Sequence, residues 1–267
     1  MPDAKIIDFH VHAFPDALAP RAMKKLIDEA PGVKAYLDGT IGQLLDSMDK
    51  SGIEKAVLCC IATRPGQFDT ILNWCRKIRS ERIYPFPSIH PQDENHREKL
   101  SVISAEGFRG VKFHPYYQDF QLDDGVMMDI YDRAAELGLM VVVHTGYDIA
   151  FEYDRRGDSD KILKVLKAYP ELKLITTHLG AWKQWDEVEE KLIGLPIYME
   201  ISFALDELEP QKVRDMLMKH PDDYILFGTD SPWTDQHNTL NLLKSLDLPA
   251  ERLSKILHIN AEKLLCL

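Results

Sequence analysis

The sequence predicts an α/β fold, and three observations support this prediction. Short runs of β-branched residues recur along the chain, and helix-like segments separate them. Several runs are apolar nearly throughout, as strands buried on both faces are. Strand and helix alternating eight times indicate a parallel sheet closed by right-handed crossovers. With 267 residues, the chain has the size of a (β/α)8 TIM barrel. We therefore expect a single domain over residues 1–267.

Eight segments carry the strand pattern, each a short run rich in β-branched or other apolar residues. They are KIIDFHVH (5–12), KAVLCCIA (55–62), RIYPFPSIH (82–90), FRGVKFHP (108–115), LMVVVHTG (139–146), LKLITTHLG (172–180), PIYMEIS (196–202) and DYILFGTD (223–230). The gap after the first strand is the longest. It contains an additional helical segment, PDALAPRAMKKLIDEA (15–30), which we expect to fold over the mouth of the barrel.

Helix-like segments lie between the strands. One of them ends at Gly138, and another begins at Ser159, which is suited to cap a helix, and ends before a proline. The predicted helical segments are GQFDTILNWCRKI (66–78), PQDENHREKLSVISAEG (91–107), GVMMDIYDRAAELG (125–138), SDKILKVLKAYP (159–170), EPQKVRDMLMKHP (209–221) and LPAERLSKILHINAEKLL (248–265).

Composition excludes several classes of function. The net charge of -11 argues against a nucleic-acid or membrane partner, because phosphate-binding surfaces are usually basic. The opening MPDAKIID lacks the pattern of a signal peptide, and no apolar run is long enough for a membrane span. Cys59 and Cys60 lie in an apolar run and, like Cys75 and Cys266, lack zinc-site spacing. We expect a cytoplasmic protein that acts on a small molecule; a homo-oligomer is left open.

The predicted strands end on polar side chains, at the end of a barrel where active sites lie. Side chains alternate along a strand, so two histidines two positions apart point the same way. Four strands therefore direct imidazoles, and a fifth directs a carboxylate, toward one place. The polar residues at the strand ends are His10 and His12, His90, Lys112 and His114, His144, His178, Glu200 and Ser202, and Asp230.

Neutral imidazole and carboxylate together are ligands for Zn²⁺, and also for Fe²⁺ or Mn²⁺. We expect His10, His12, His144 and Asp230 to bind the metal, with water at an open position. The pKa of such a water falls to about 7, which gives hydroxide at neutral pH. Asp230 is placed to relay its proton. His178 is placed to polarise a carbonyl or to hold a second metal.

At these residues the chain resembles the amidohydrolase superfamily, in particular the group that includes aminocarboxymuconate-semialdehyde-type decarboxylases. The resemblance implies a metal bound by His10, His12, His144 and Asp230, and a catalytic role for His178. It spans almost the whole chain and is specific for the superfamily rather than for a substrate. The matching motifs are DFHVH, KFHP, HTG, THLG, GTDSPW and NAEKLL.

The fourth strand departs from two relatives within this superfamily. TatD-type deoxyribonucleases usually carry a metal-bridging Glu there, whereas this chain has Lys112 and His114. Dihydroorotase-like members carry a carboxylated lysine in a similar setting, so Lys112 is a candidate carbamate between two metals. The alternatives are a cation for substrate or an ion-pair partner. We favour one metal per chain and an unmodified Lys112.

The predicted substrate-binding residues are Lys112, His114, Arg64, Tyr147 and Trp233. The pair Arg155–Arg156 is a further candidate for a carboxylate clamp, against the alternative of solvated loop charges. His90 either anchors its loop or contacts substrate, and Glu200 stays unassigned. Four histidines in helical or terminal segments are assigned to the surface or to packing. They are His96, His220, His237 and His258.

These residues predict a metal-dependent hydrolase that cleaves a C–N or C–O bond of an amide, lactone or ester. Metal-bound hydroxide attacks the carbonyl, and the metal and His178 stabilise the oxyanion. The alternative is nonoxidative decarboxylation of a small carboxylic acid at the same centre. A non-catalytic barrel that only binds a ligand is the remote alternative, because a complete ligand set on separate strands has no structural need.

Overall fold

The computed structural model describes residues 5–267 and has one strand inside each of the eight predicted strand segments. Every strand is shorter than its predicted segment. The strands are β1 (Ile7–Val11), β2 (Lys55–Cys59), β3 (Ile83–Phe86), β4 (Gly110–Phe113), β5 (Met140–Val143), β6 (Leu174–Thr176), β7 (Tyr198–Glu200) and β8 (Ile225–Leu226).

Helices follow the strands, and each predicted helical segment contains at least one. The helices are α1 (Ala19–Glu29), α2 (Ile41–Ser51), α3 (Phe68–Ile78), α4 (His96–Ala105), α5 (Gly125–Glu136), α6 (Ser159–Ala168), α7 (Trp185–Lys191), α8 (Ala204–Glu207), α9 (Pro210–Lys219), α10 (Gln236–Ser245), α11 (Ala250–Ser254) and α12 (Asn260–Leu265). A π-helical segment, Lys255–Ile259, joins the last two. Helices α2, α7, α8 and α10 lie outside the predicted segments. Within the described residues, every helix is too short or too polar to span a bilayer.

The described residues fall into two compact units. The first comprises the described residues up to Leu58 together with 149–152 and 193–267. The second comprises 59–148 and 153–192. The single domain expected over 1–267 stays a prediction.

In the first unit, parallel strand pairs bring the beginning and the end of the chain together. Strand β1 pairs with β2, with Ile7 opposite Lys55. Strand β7 pairs with β8. The N–H of Phe9 donates to the carbonyl of Phe227 over 2.7 Å. The carboxyl ends of β1 and β8 therefore lie side by side.

In the second unit, β4, β5 and β6 form a parallel sheet. Lys112 lies opposite Val142, which in turn lies opposite Ile175. All residues of these three strands are buried. This burial confirms the prediction from their apolar runs, and each buried valine contributes about 1.5–3 kcal/mol of transfer free energy. The predicted core thiols Cys59 and Cys60 are likewise buried.

The segment 15–30 forms α1, which packs through Met23 in the first unit. Met23 and Ala19 are buried. A Cβ atom on Gly39 would lie 2.7 Å from Cγ of Met23, and Gly39 has φ +81°, so glycine is required at that turn. That α1 folds over the mouth of the barrel stays a prediction.

Candidate functional site

Three predicted ligands lie together in the first unit. Nε2 of His10 and Nε2 of His12 are 3.1 Å apart. Oδ1 of Asp230 lies 3.3 Å from the first nitrogen and 3.0 Å from the second. His10 and Asp230 are buried, and His12 is half-buried. Two imidazoles and one carboxylate therefore present their donor atoms at one point.

The backbone fixes this arrangement. The N–H of Asp230 donates to the carbonyl of His10 over 2.7 Å, and the N–H of His12 donates to the carbonyl of Ser231 over 2.6 Å. Asp230 has φ +58°, in the left-handed region that disfavours most side chains. Such backbone strain persists where the surrounding structure holds it, and it is common at functional sites.

Asp8 holds the same two chain segments together by its side chain. Its carboxylate accepts hydrogen bonds from the N–H of His10, the N–H and Oγ1 of Thr229, and Nε2 of Gln236. Burial raises the pKa of Asp8 to about 7, although these four hydrogen bonds lower it. The motif DFHVH thus contains a residue that aligns the strand ends and that sequence reasoning did not assign.

Glu200, which sequence reasoning left unassigned, faces His10. Its Oε1 lies 3.0 Å from Nδ1 of His10. A carboxylate oxygen accepts, so Nδ1 carries the hydrogen, and the lone pair of the neutral ring is on Nε2. The side chain of Glu200 is 0% exposed. It also accepts from the N–H and the hydroxyl of Ser202 over 2.7 and 2.9 Å.

Gly228 makes room for Glu200. A Cβ atom at position 228 would lie 2.4 Å from Oε2 of Glu200. We expect Gly228→Ala to lower the free energy of unfolding by about 1–3 kcal/mol, because an added methyl in a packed core forces its neighbours apart. Urea unfolding followed by circular dichroism measures this change.

The matched control for Gly228→Ala is Gly42→Ala in α2. A Cβ atom there has nothing within 4 Å, and alanine is the better helix former by about 1 kcal/mol. The control should be as stable as the wild type or more stable. Equal unfolding midpoints for Gly228→Ala and the wild type would show that position 228 has room for a side chain.

A second cluster lies in the second unit, around His144. Nδ1 of His144 is 3.1 Å from Nε2 of His178. The ring of His114 stacks on the ring of His144 with centroids 4.2 Å apart. Nε2 of His114 lies 3.2 Å from Oδ2 of Asp148. The structure therefore places the predicted substrate-binding residue His114 directly beside His144.

Hydrogen bonds indicate which ring nitrogen of His144 carries the hydrogen and which carries the lone pair. Nε2 lies 3.2 Å from the carbonyl oxygen of Tyr147, which only accepts, so Nε2 carries the hydrogen. The lone pair of the neutral ring is then on Nδ1, toward His178. Burial, assisted by His114 and His178, holds the pKa of His144 well below its ordinary value. His144 is thus neutral and able to bind a metal.

Two threonines hold His144 and His178 together. Thr145 directly follows His144 in the chain, and Thr177 directly precedes His178. Oγ1 of Thr145 donates to the carbonyl of Thr177 over 3.1 Å and accepts from its N–H over 3.0 Å. His178 itself has φ +58°, so it adopts the same left-handed conformation as Asp230.

Lys112 is 1% exposed in β4. Its charge is among the causes that lower the pKa of His144, so the ammonium acts on the second cluster. Aromatic rings lie around the same histidines. Tyr116 is edge-on to His144 at 6.1 Å and packs against Tyr147 at 6.5 Å. Trp182 is 5.8 Å from the ring of His178.

The remaining substrate-binding candidates lie on loops. Arg64 is exposed, and its N–H donates to Oε1 of Gln67. Trp233 is half-buried in the first unit.

Arg155 pairs with Glu187 over 2.8 Å. Its neighbour Arg156 pairs with Asp154 and Asp119 over 2.9 and 2.7 Å. The two arginines thus have carboxylate partners within the chain, and substrate binding by Arg64 and Trp233 stays a prediction.

The other histidines have local roles. Nδ1 of His90 accepts a hydrogen bond from the N–H of Gln92. This contact agrees with the alternative that His90 anchors its loop. His220 is buried, and its Nε2 donates to the carbonyl of Ile197 over 2.8 Å. His96 pairs with Asp129 on the surface. These contacts agree with the surface or packing assignment of His96 and His220.

The donor set of the first cluster fits a divalent metal. Its three donor atoms lie within 4.8 Å of one another, and imidazole with carboxylate suits Zn²⁺, Mn²⁺ or Fe²⁺. The carboxylate of Glu200 behind His10 is a common support for a histidine ligand. That His144 of the second unit completes this ligand set stays a prediction.

A family model described as an amidohydrolase matches residues 7–267. The chain belongs to the amidohydrolase family. This match confirms the resemblance read from the motifs. The chain is therefore an enzyme. A search of curated proteins gave no significant match.

Solved structures show the fold of this amidohydrolase. An uncharacterised TIM-barrel protein from Bordetella bronchiseptica aligns with a TM-score of 0.80 and 21% identity, over 98% of both chains. 5-Carboxyvanillate decarboxylase from Novosphingobium aromaticivorans, complexed with manganese, has a TM-score of 0.70 and 16% identity, over 98% of this chain and 96% of that one. 2,6-Dihydroxybenzoate decarboxylase from Rhizobium has a TM-score of 0.70 and 17% identity, over 98% of each. The predicted (β/α)8 TIM barrel is confirmed.

Proposed function

We propose that this amidohydrolase is a metal-dependent nonoxidative decarboxylase of small hydroxylated aromatic carboxylic acids. The observation that carries the proposal is the second cluster, where aromatic rings pack against buried imidazoles and the charge of a buried lysine acts on His144. Lys112 supplies the cation, and Tyr116, Tyr147 and Trp182 supply the rings. A buried cation favours an anionic ligand, and aromatic walls favour a planar one.

The structural neighbours support the same choice over hydrolysis, the first prediction from sequence. The neighbours named for an activity include decarboxylases of 5-carboxyvanillate and 2,6-dihydroxybenzoate. Both names describe benzoic acids with an oxygen substituent on the ring. The sequence identities are 16% and 17%. We therefore use these names to choose the substrates for the test of the proposal.

In this proposal His10, His12 and Asp230 hold one divalent metal. When bound, the metal supplies a Lewis acid for oxygen atoms of the substrate. Manganese in one neighbour makes Mn²⁺ a candidate beside Zn²⁺ and Fe²⁺. The two imidazoles and one carboxylate of the first cluster can bind any of these three ions.

The protein residues bind the acid and deliver one proton. Lys112 binds an anionic oxygen of the substrate. Nε2 of His178 donates to Nδ1 of His144 over 3.1 Å and orients that ring, and a catalytic role for His178 stays a prediction. Asp230 is the acid. Its Oδ1 faces the two histidines, so we assign the proton to Oδ2, from which it passes to the ring carbon that bears the carboxylate. The bond between that carbon and the carboxylate then breaks, its electron pair returns to the ring, and CO₂ leaves.

The test is a paired assay on the purified full-length protein loaded with Zn²⁺ or Mn²⁺. Hydroxylated benzoates labelled with ¹³C in the carboxylate are offered beside a set of lactones, esters and amides. We expect release of labelled CO₂ from at least one benzoate, and in deuterated water the product should carry one deuterium at the vacated carbon. Asp230→Asn should abolish both signals.

Hydrolysis remains the second candidate, because the family model itself is described as an amidohydrolase. The paired assay separates the two reactions. Turnover of a lactone, ester or amide, with no labelled CO₂ from any benzoate, would establish hydrolysis and overturn the decarboxylase proposal.

A further inference from the structure

The contacts of Glu200 make it an acceptor on both carboxylate oxygens. Oε1 faces Nδ1 of His10 at 3.0 Å and the hydroxyl of Ser202 at 2.9 Å. Oε2 faces the N–H of Ser202 at 2.7 Å. Gly228 leaves the space that Oε2 occupies. Three positions of the first unit therefore hold one carboxylate against the rear of a candidate metal ligand.

We propose that Glu200 is a positioning residue that sets the metal affinity of His10. It keeps the hydrogen of the ring on Nδ1, so that Nε2 presents its lone pair toward His12 and Asp230. A carboxylate behind the ring also increases the basicity of the ligand. This inference rests on the metal centre of the proposed function.

The donors around Glu200 explain why both oxygens of its side chain must accept hydrogen bonds. In Glu200→Gln, an amide NH₂ replaces one of the two acceptors. The N–H of Ser202 is a fixed donor, so the remaining oxygen turns to it. The NH₂ then faces His10, whose Nδ1 becomes the acceptor and whose hydrogen moves to Nε2. A nitrogen that carries hydrogen does not bind a metal.

The first experiment measures the dissociation constants of Zn²⁺ and Mn²⁺ by competition with a chromophoric chelator, at one pH and on the full chain. We expect Glu200→Gln to weaken binding about 10–100-fold, the usual effect of removing such a support. The control is Asp158→Asn. Asp158 is a buried carboxylate of the second unit that caps α6, so its loss should affect stability and leave metal affinity within about twofold of the wild type.

The second experiment locates the hydrogen by NMR of ¹⁵N-histidine in the metal-free protein, with His10→Gln assigning the signal. We expect the hydrogen of His10 on Nδ1 in the wild type and on Nε2 in Glu200→Gln. This readout does not depend on activity. A wild-type His10 with its hydrogen on Nε2 overturns the inference even if the variant does not fold.

The outcomes separate the inference from the proposal on which it rests. Unchanged metal affinity in a folded Glu200→Gln protein overturns the role of Glu200 alone, provided that His12→Ala loses the metal. If the wild type binds no more tightly than His12→Ala, the metal centre is wrong, and the inference falls with it.

Discussion

Replacing both His10 and His12 by alanine should remove the divalent metal and lower turnover by at least about 10³-fold. The two imidazoles are two of the three donors in the first cluster, and one carboxylate is a weak ligand by itself. Loss of a Lewis acid removes several kcal/mol of transition-state stabilisation. Elemental analysis of the purified proteins, with assays of labelled CO₂ release, measures both effects.

The control for this double variant is His237→Ala, which removes an exposed imidazole in α10. Its metal content and turnover should match the wild type. The same metal content in the double variant and the wild type would contradict the ligand assignment, whatever the activity.

Replacing Lys112 by alanine should lower kcat/KM about 100-fold and leave the metal content at one ion per chain. The expected loss corresponds to one hydrogen bond between charged groups in a buried site, about 1.5–3 kcal/mol. Most of the loss should appear as weaker binding of the carboxylic acid. Lys164→Ala is the control, because that lysine is exposed and pairs with Asp123 over 2.7 Å.

The same variant tests whether Lys112 is carboxylated. A carbamate bridge between two metals would make Lys112→Ala lose metal, and short carboxylic acids such as acetate would restore part of the activity. With one metal and an unmodified lysine, no such rescue is expected. Two metals per chain, about 3.5–4 Å apart, together with rescue by acetate, would contradict a mononuclear centre.

The strands were predictable because strongly apolar, β-branched runs have few other uses in a chain of this kind. Their lengths were not. The run LKLITTHLG predicts a strand over 172–180, but β6 ends at Thr176. His178 and Leu179 adopt positive φ values, so the extended backbone ends before the candidate site residue His178. Asp230 also has a positive φ value, four residues after the end of β8.

Two of the helices outside the predicted segments begin at side-chain N-caps. Helix α2 begins after Thr40, whose hydroxyl accepts from the N–H of Gln43. Helix α10 begins after Asp235, which accepts from the N–H of Asn238. Both are N-cap patterns that are readable in the sequence. The four-residue helix α8 (Ala204–Glu207) is too short for periodicity to reveal.

The site was predictable at the level of motifs and not at the level of contacts. His10, His12 and Asp230 follow apolar runs, so their convergence was readable from strand order. The contact of Glu200 with His10 joins positions that are distant in the chain. The alternation along a strand predicts which face of the sheet a side chain is on. The residue that it contacts on another strand is known only from the folded structure.

The close approach of Glu200 to the backbone of Gly228 also has an evolutionary consequence. While position 200 carries a glutamate, a side chain at position 228 would occupy the space of its carboxylate. A lineage that lost the glutamate would lose this restriction as well. Selection on Glu200, the partner of His10, is thereby passed to Gly228, and we expect these two positions to diverge only together.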